Sequence, residues 1–242
     1  MVSVCIATYN GEKFISKQLC SILEQIKEDD EIIVSDDGSV DNTVEIIHSF
    51  NDRRIKVIKN IGKHGFKDNF ENALKFAHGD YIFLSDQDDV WLPEKYTLLC
   101  KILLKYDLVV SNSSITDEDL NILEVSFFDY IHSGPGILKN IIRNTYYGSC
   151  MAFRKKILEQ AMPFPKSNEI GHDIWLGLVA EITGKVFFYP KSLLLYRRHA
   201  KTCTSTDLSF NRSSRSLFIK LYGRYIILFH VLKFIIKNKF VK

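Results

Sequence analysis

The 242 residues, 46% hydrophobic and 25% charged, suffice for one large core or two small ones and exclude a disordered or fibrous chain. Five scattered cysteines (Cys5, Cys20, Cys100, Cys150, Cys203) form no C-x-x-C pair, which argues against a disulfide framework or zinc site and for a reducing compartment. The net charge of +3 hides an asymmetry, because residues 208–242 hold eight basic residues and no acidic one, so the body is acidic and the tail basic.

The chain enters an apolar run at once, without the basic region of a signal peptide, and no apolar run reaches about 18 residues. It therefore reads as cytoplasmic, without a spanning helix. Strands are predicted over 2–7, 31–35, 55–58, 81–84 and 108–111. Helices are predicted between them, over 13–25, 43–50, 68–77 and 94–105. This alternation predicts an α/β fold: a doubly wound, mostly parallel sheet with helices on both faces. Past Ser113 the pattern is irregular. A polar loop over 116–121 and turn signals over 132–136 precede a strand over 147–153, a helix over 173–182 and short strands over 186–189 and 193–197. The polar stretch 200–215 reads as a mobile connection to a helix over 217–241. We expect one body over 1–206, divided near residue 113, and a tail over 207–242.

Ligands of such sheets bind beyond the carboxyl ends of the strands. Three polar clusters fall there: Thr8-Tyr9-Asn10, Asp36-Asp37-Gly38-Ser39 and Asp86 to Asp89 within LSDQDDVWLP (84–93). Carboxylates massed after a buried strand repel one another, and a divalent cation with oxygen ligands, Mg²⁺ or Mn²⁺, removes that cost. The bland alternative is an acidic loop.

The motifs VSVCIATYNG (2–11), EIIVSDDGSVDNT (31–43), GDYIFLSDQDDVWLPEK (79–95) and GHDIWL (171–176), in this order, resemble the family 2 inverting glycosyltransferases with the GT-A nucleotide-diphospho-sugar transferase fold. With the later YRRH (196–199), they are most similar to a bacterial subgroup of rhamnosyl- and galactosyltransferases that build surface polysaccharides. The resemblance implies transfer from a nucleotide-sugar, dTDP-rhamnose or a UDP-hexose, to a hydroxyl of a lipid-linked glycan. It implies Ala7, Tyr9 and Asp37 around the nucleobase. Asp88 would be the direct metal ligand, Asp86 a ligand of ribose or of a metal-bound water, and Asp89 a contact to the donor sugar. His199 would be a further metal ligand, and Asp173 the base that takes the acceptor's proton.

Asp36 reads as structural, as does Trp91. His172 either orients Asp173 or is a surface histidine. Of Arg197 and Arg198, one could pair with pyrophosphate while the other sits on the surface; Lys63 and Lys67 are weaker phosphate candidates. The basic, apolar tail fits either an anionic membrane surface or a packing or dimer helix, and its aromatics lie among aliphatics, which disfavours nucleic acid. A nucleotidylyltransferase would need an Arg-containing, Gly-rich loop where this chain has ATYNGEKF. A non-catalytic homologue would be expected to have lost Asp88 or Asp173, and a retaining enzyme would not need Asp173 as base.

Overall fold

The computed structural model describes residues 1–199 and 216–239. The stretch 200–215, with Cys203, Arg212, Arg215 and the expected boundary at 206, lies outside the described residues, as does Lys242. Nine strands form one sheet in the order β3-β2-β1-β4-β8-β6-β9-β5, with β7 paired to β6. Its first part comprises β1 (Val2–Thr8), β2 (Glu31–Asp36), β3 (Ile55–Lys59) and β4 (Tyr81–Asp86), all parallel. The connecting helices are α1 (Ile15–Leu23), α2 (Thr43–Ser49) and α3 (Phe66–Lys75). In β2 every residue is buried, and in β1 all but Ala7, so both faces of the sheet are covered. Helix α1 buries Ile15, Gln18, Leu19 and Ile22, the spacing of a single helical face turned to the core.

The second part closes the sheet with long-range pairings. β5 (Val90–Trp91) is followed by α4 (Lys95–Leu103), β6 (Leu108–Thr116) and β7 (Ile122–Glu124), then α5 (Phe127–Ile131) and α6 (Ile137–Ile142). A 3-10 turn (Gly148–Cys150) leads into β8 (Met151–Arg154), so the strand expected over 147–153 is half turn and half strand. β8 runs antiparallel between β4 and β6. After α7 (Lys155–Ala161) and α8 (His172–Thr183), the two short strands expected over 186–197 are one, β9 (Val186–Arg197), parallel to β6. The register slips between Ser111 and Asn112, opposite Pro190 and Lys191, because proline has no N–H for the ladder.

Helix α9 (Leu217–Lys239) packs Ile227, Val231 and Phe234 into the main core, with Trp175 edge-on to Phe234 at 5.6 Å. Arg224 Nη2 donates to Ile142 O at 2.7 Å. The opposite face leaves Leu221, Tyr222, Tyr225, Leu228, Phe229 and Leu232 exposed. Among the described residues no helix is long and apolar enough to cross a membrane, and Cys5, Cys20, Cys100 and Cys150 are free thiols.

Candidate active site

The strand order reverses at β1, and a cleft of roughly 1470 Å³ opens over the carboxyl ends of β1, β2 and β4. Register fixes the edge: Thr8 lies opposite Asp36, and Ala7 opposite Asp86. Ala7, Tyr9, Asp37, Asp86, Asp88, Asp173 and His199 all line this one cleft.

On the β2 side Asp36 is consumed by its own turn, accepting from the backbone N–H of Gly38 and Ser39 at 3.0 and 2.9 Å. Asp37 Oδ1 accepts from Asn60 Nδ2 at 2.7 Å and lies 3.0 Å from His64 Nδ1, while Oδ2 accepts from Gly65 N at 2.8 Å. A carboxylate oxygen has two lone pairs, so Oδ2 keeps one for a ligand. Tyr9, 53% exposed, presents its ring to the cleft above it.

Between β1 and β4 the sequence reading missed Gln87, the spacer of D-x-D. Its Oε1 accepts from Thr8 Oγ1 at 2.6 Å and Tyr9 N at 2.9 Å, and its Nε2 donates to Tyr9 O at 3.2 Å. A Cβ at Gly11 would collide with that Oε1, so the loop after β1 needs glycine for this approach. The two strand ends are thereby tied together, and Asp86 and Asp88 are held on either side of the knot.

Two of the carboxylates, Asp86 and Asp89, are raised. Asp86 is pushed up to about 7 by burial first, then by the charges of Asp88 and Asp173. Asp89 is raised well above the carboxylate range by burial, then by Asp88 and Asp86. The expectation that Asp89 contacts the donor sugar is corrected: its side chain is fully buried, away from the cleft, and its Oδ1 accepts from Arg197 N at 3.0 Å. The cause is β5, which pairs Val90 and Trp91 with Leu195 and Leu194 and turns Asp89 inward. The same pairing carries His199 to the site, its Nε2 2.9 Å from Asp88 Oδ2. Trp91 is packing, as expected, against Phe83.

Beneath the cluster lies Lys95, buried, with Nζ donating to Ser149 O at 2.6 Å and lowered to about 8 by desolvation. It is a second residue the motifs did not mark.

Asp173 lies in the first turn of α8, its Oδ1 accepting from Ile174 N at 2.7 Å and its Oδ2 from Asn144 Nδ2 at 3.1 Å. Asn144, not His172, orients this carboxylate. It comes from an aperiodic stretch that offered no sequence signal.

Neither arginine of YRRH sits on the surface. Arg197 Nε donates to Asp88 O at 2.7 Å, its Nη1 reaches Glu118 O, and its guanidinium lies 4.8 Å from the Phe14 ring centre. Arg197 thus braces the Asp88 loop rather than reaching for a phosphate, and Arg198 is buried. Lys63 donates to Asn168 Oδ1, and Lys67 to the carbonyls of Pro165 and Ser167. Both lysines hold the segment before α8, and neither lines the cleft.

A carboxylate oxygen and an imidazole nitrogen at one point are a donor set that suits Mn²⁺, with Mg²⁺ preferring oxygen alone. Among the described residues no three His, Cys, Asp or Glu side chains converge tightly enough to complete a shell. Asp88 and His199 could therefore supply two ligands of such an ion, and the described residues do not supply a third at the same point.

The chain is matched over residues 3–161 by the model of Glycosyl transferase family 2. The Escherichia coli UDP-Glc:alpha-D-GlcNAc-diphosphoundecaprenol beta-1,3-glucosyltransferase WfgD is 25% identical, over 75% of this chain and 70% of that protein. The Shigella flexneri dTDP-rhamnosyl transferase RfbG is 28% identical, over 88% of this chain and 78% of that protein. The structure of S. aureus TarS 1–349 in complex with UDP-GlcNAc superposes with a TM-score of 0.72 at 18% identity, covering 97% of this chain and 70% of that one. At that identity the likeness speaks for the fold alone, which is the expected GT-A fold.

Proposed function

The chain belongs to glycosyl transferase family 2, and on that premise we propose that it moves a hexosyl or deoxyhexosyl group, with inversion, from a nucleoside diphosphate sugar to a hydroxyl of a lipid-linked glycan. The relatives that use UDP-glucose or carry the dTDP-rhamnosyl name support UDP and dTDP donors and a role in bacterial surface-polysaccharide synthesis. The nucleobase stacks on Tyr9, and its N3–H donates to the free lone pair of Asp37 Oδ2. Asp86 faces the ribose or the diphosphate, and Asp88 with His199 would hold a divalent cation. When bound, that ion offsets the charge growing on the departing diphosphate.

The acceptor hydroxyl gives its proton to Asp173 as its oxygen attacks the anomeric carbon, and Asn144 fixes the carboxylate for that transfer. The observation that carries the reading is the Asp173 carboxylate in the same cleft as the donor edge, near enough for its charge to raise Asp86. Beyond it the cleft runs on to apolar side chains, Ile141 and Ile142 of α6 and Ile219 and Ile227 of α9. Such an exit suits a lipid carrier. The outer face of α9, apolar and followed by the exposed Lys233 and Lys237, then rests on an anionic membrane surface on the cytoplasmic side.

The test is nucleoside diphosphate release from UDP-glucose and dTDP-rhamnose with Mn²⁺ and a polyprenyl-diphosphate-linked N-acetylglucosamine acceptor. Acceptor-dependent release from one donor is expected. No release from either, with no thermal stabilisation by UDP or dTDP, would overturn the reading.

A further inference from the structure

His172 opens α8 one residue before Asp173, and it is the titratable residue of GHDIWL that the reaction above leaves without a task. Its ring is 5% exposed and lines the cleft, yet neither Nδ1 nor Nε2 has a hydrogen-bond partner among the described residues. Buried polar atoms in folded proteins are nearly always satisfied, and two orphaned nitrogens on one ring at a cleft wall point to a partner that arrives from outside. Packing alone sets the ring's position. It stacks on Phe70 with centroids 4.2 Å apart and meets Phe66 edge-on at 6.0 Å. On the other side a Cβ at Gly148 would come within 2.8 Å of Nε2, so glycine there lets the ring approach the backbone this closely. Burial lowers the ring's proton affinity, the nearby Asp173 charge opposing it only in part. The imidazole is therefore neutral, with one N–H to give and one lone pair to receive.

The two nitrogens point apart, so a ligand oxygen meets one of them; a hydroxyl, which both gives and takes a hydrogen bond, suits whichever it meets, N–H or lone pair, whereas a phosphate, with acceptors only, suits the N–H alone. The neighbours say which hydroxyl. Phe66 and Phe70 belong to α3, whose preceding Gly65 N–H holds Asp37 on the nucleotide side. Gly148 precedes Ser149, which adjoins Asp86 at the end of β4. His172 therefore stands on the donor side, between the nucleotide edge and the base, whereas the apolar exit lies along α6 and α9. We propose that His172 recognises a ring hydroxyl of the donor's glycosyl group and so helps to select the sugar. This rests on the reading of the cleft as a nucleotide-sugar site.

The experiment compares wild type with His172→Phe, which keeps the stack on Phe70 and removes both nitrogens. The donor is whichever of UDP-glucose and dTDP-rhamnose wild type turns over, together with its monodeoxy analogues. Expected are a melting temperature no lower than wild type, affinity for the free nucleoside diphosphate within twofold, and kcat/KM for the full sugar reduced at least tenfold. The penalty that one deoxy analogue suffers in wild type should vanish in the variant, which a merely structural residue would not produce. His172→Gln, which restores a donor and an acceptor, should recover part of the loss, and it carries the same comparison if His172→Phe does not fold. Unchanged kcat/KM, or an equal loss of affinity for sugar nucleotide and free nucleotide, would overturn the proposal and leave the transferase reading intact. Absence of wild-type turnover would instead remove the transferase reading.

Discussion

The two ends of one sheet treat the same residue type in opposite ways. At the amino ends, Glu31 Oε1 accepts from Ser3 Oγ at 2.6 Å and His78 N at 2.9 Å, and Oε2 meets Lys56 Nζ at 2.8 Å. Asp30 accepts from Val2 N and Lys27 N at 2.7 and 2.9 Å. Burial pushes Glu31 up, but the bonds from Lys56, Ser3 and His78 outweigh it and hold the group below its usual range. At the carboxyl ends burial raises Asp86, and the neighbouring carboxylates Asp88 and Asp173 add to it. One end is satisfied within the fold; the other gathers carboxylates that raise one of their number. Carboxylates that strain a fold yet crowd a cleft mark a place where stability is given up for binding.

The largest effect that sharpens this contrast is in Asp173→Asn. It should lose roughly two to four orders of magnitude in kcat, the span for removing a general base, with nucleotide affinity and melting temperature near wild type. Steady-state kinetics with calorimetry would show it, and a lost nucleotide affinity at unchanged kcat would move Asp173 into the donor pocket. Glu31→Gln should do the reverse, costing about 1–3 kcal/mol of stability with kcat unchanged, as read by denaturant unfolding.

The pH dependence separates the ends by sign. A raised group such as Asp86 contributes stability that is complete below its ordinary value, roughly 4, and is lost as pH rises through about 7. Glu31, lowered, contributes above its ordinary value and fails as pH falls. In EDTA the melting temperature should therefore carry a decline between about pH 4 and about pH 7 that Asp86→Asn flattens, while Glu31→Gln changes only the acid limb. The smallest effect concerns α9. Wild type should sediment with anionic liposomes at low salt and release as salt screens charges beyond about 8 Å, and a Tyr225→Glu, Phe229→Glu variant should stay in the supernatant. Wild type remaining in the supernatant would make α9 a packing or dimer helix only.

The amino-terminal half could be read from residues because its elements are local. Apolar runs of four to seven residues alternate with helical faces between Val2 and Lys105, and the strand ends fell where Asp37 and Asp86 stand. What closed the site is non-local. Val90–Trp91 is too short to show a period, yet its pairing with Leu194 and Leu195 decides that Asp89 turns in and His199 arrives. Pro190 broke the pattern of β9 without breaking the strand. Gln87 looked like a spacer because its amide acts 78 and 79 residues away in sequence, on Tyr9 and Thr8. Asn144 lies in a stretch with neither period nor motif, so only the fold shows that it meets Asp173.

The most direct measurement is the melting temperature with and without Mn²⁺ and UDP, in wild type and Asp88→Asn. A ligand at a hundred times its Kd stabilises the fold by about 2.7 kcal/mol. Wild type should show a shift of that order, and Asp88→Asn should show little, while without ligand the variant melts no lower than wild type because a repelling charge has gone. An equal shift in both proteins, or a ligand-free variant markedly less stable than wild type, would contradict the view that the carboxyl end of this sheet is completed by its ligand.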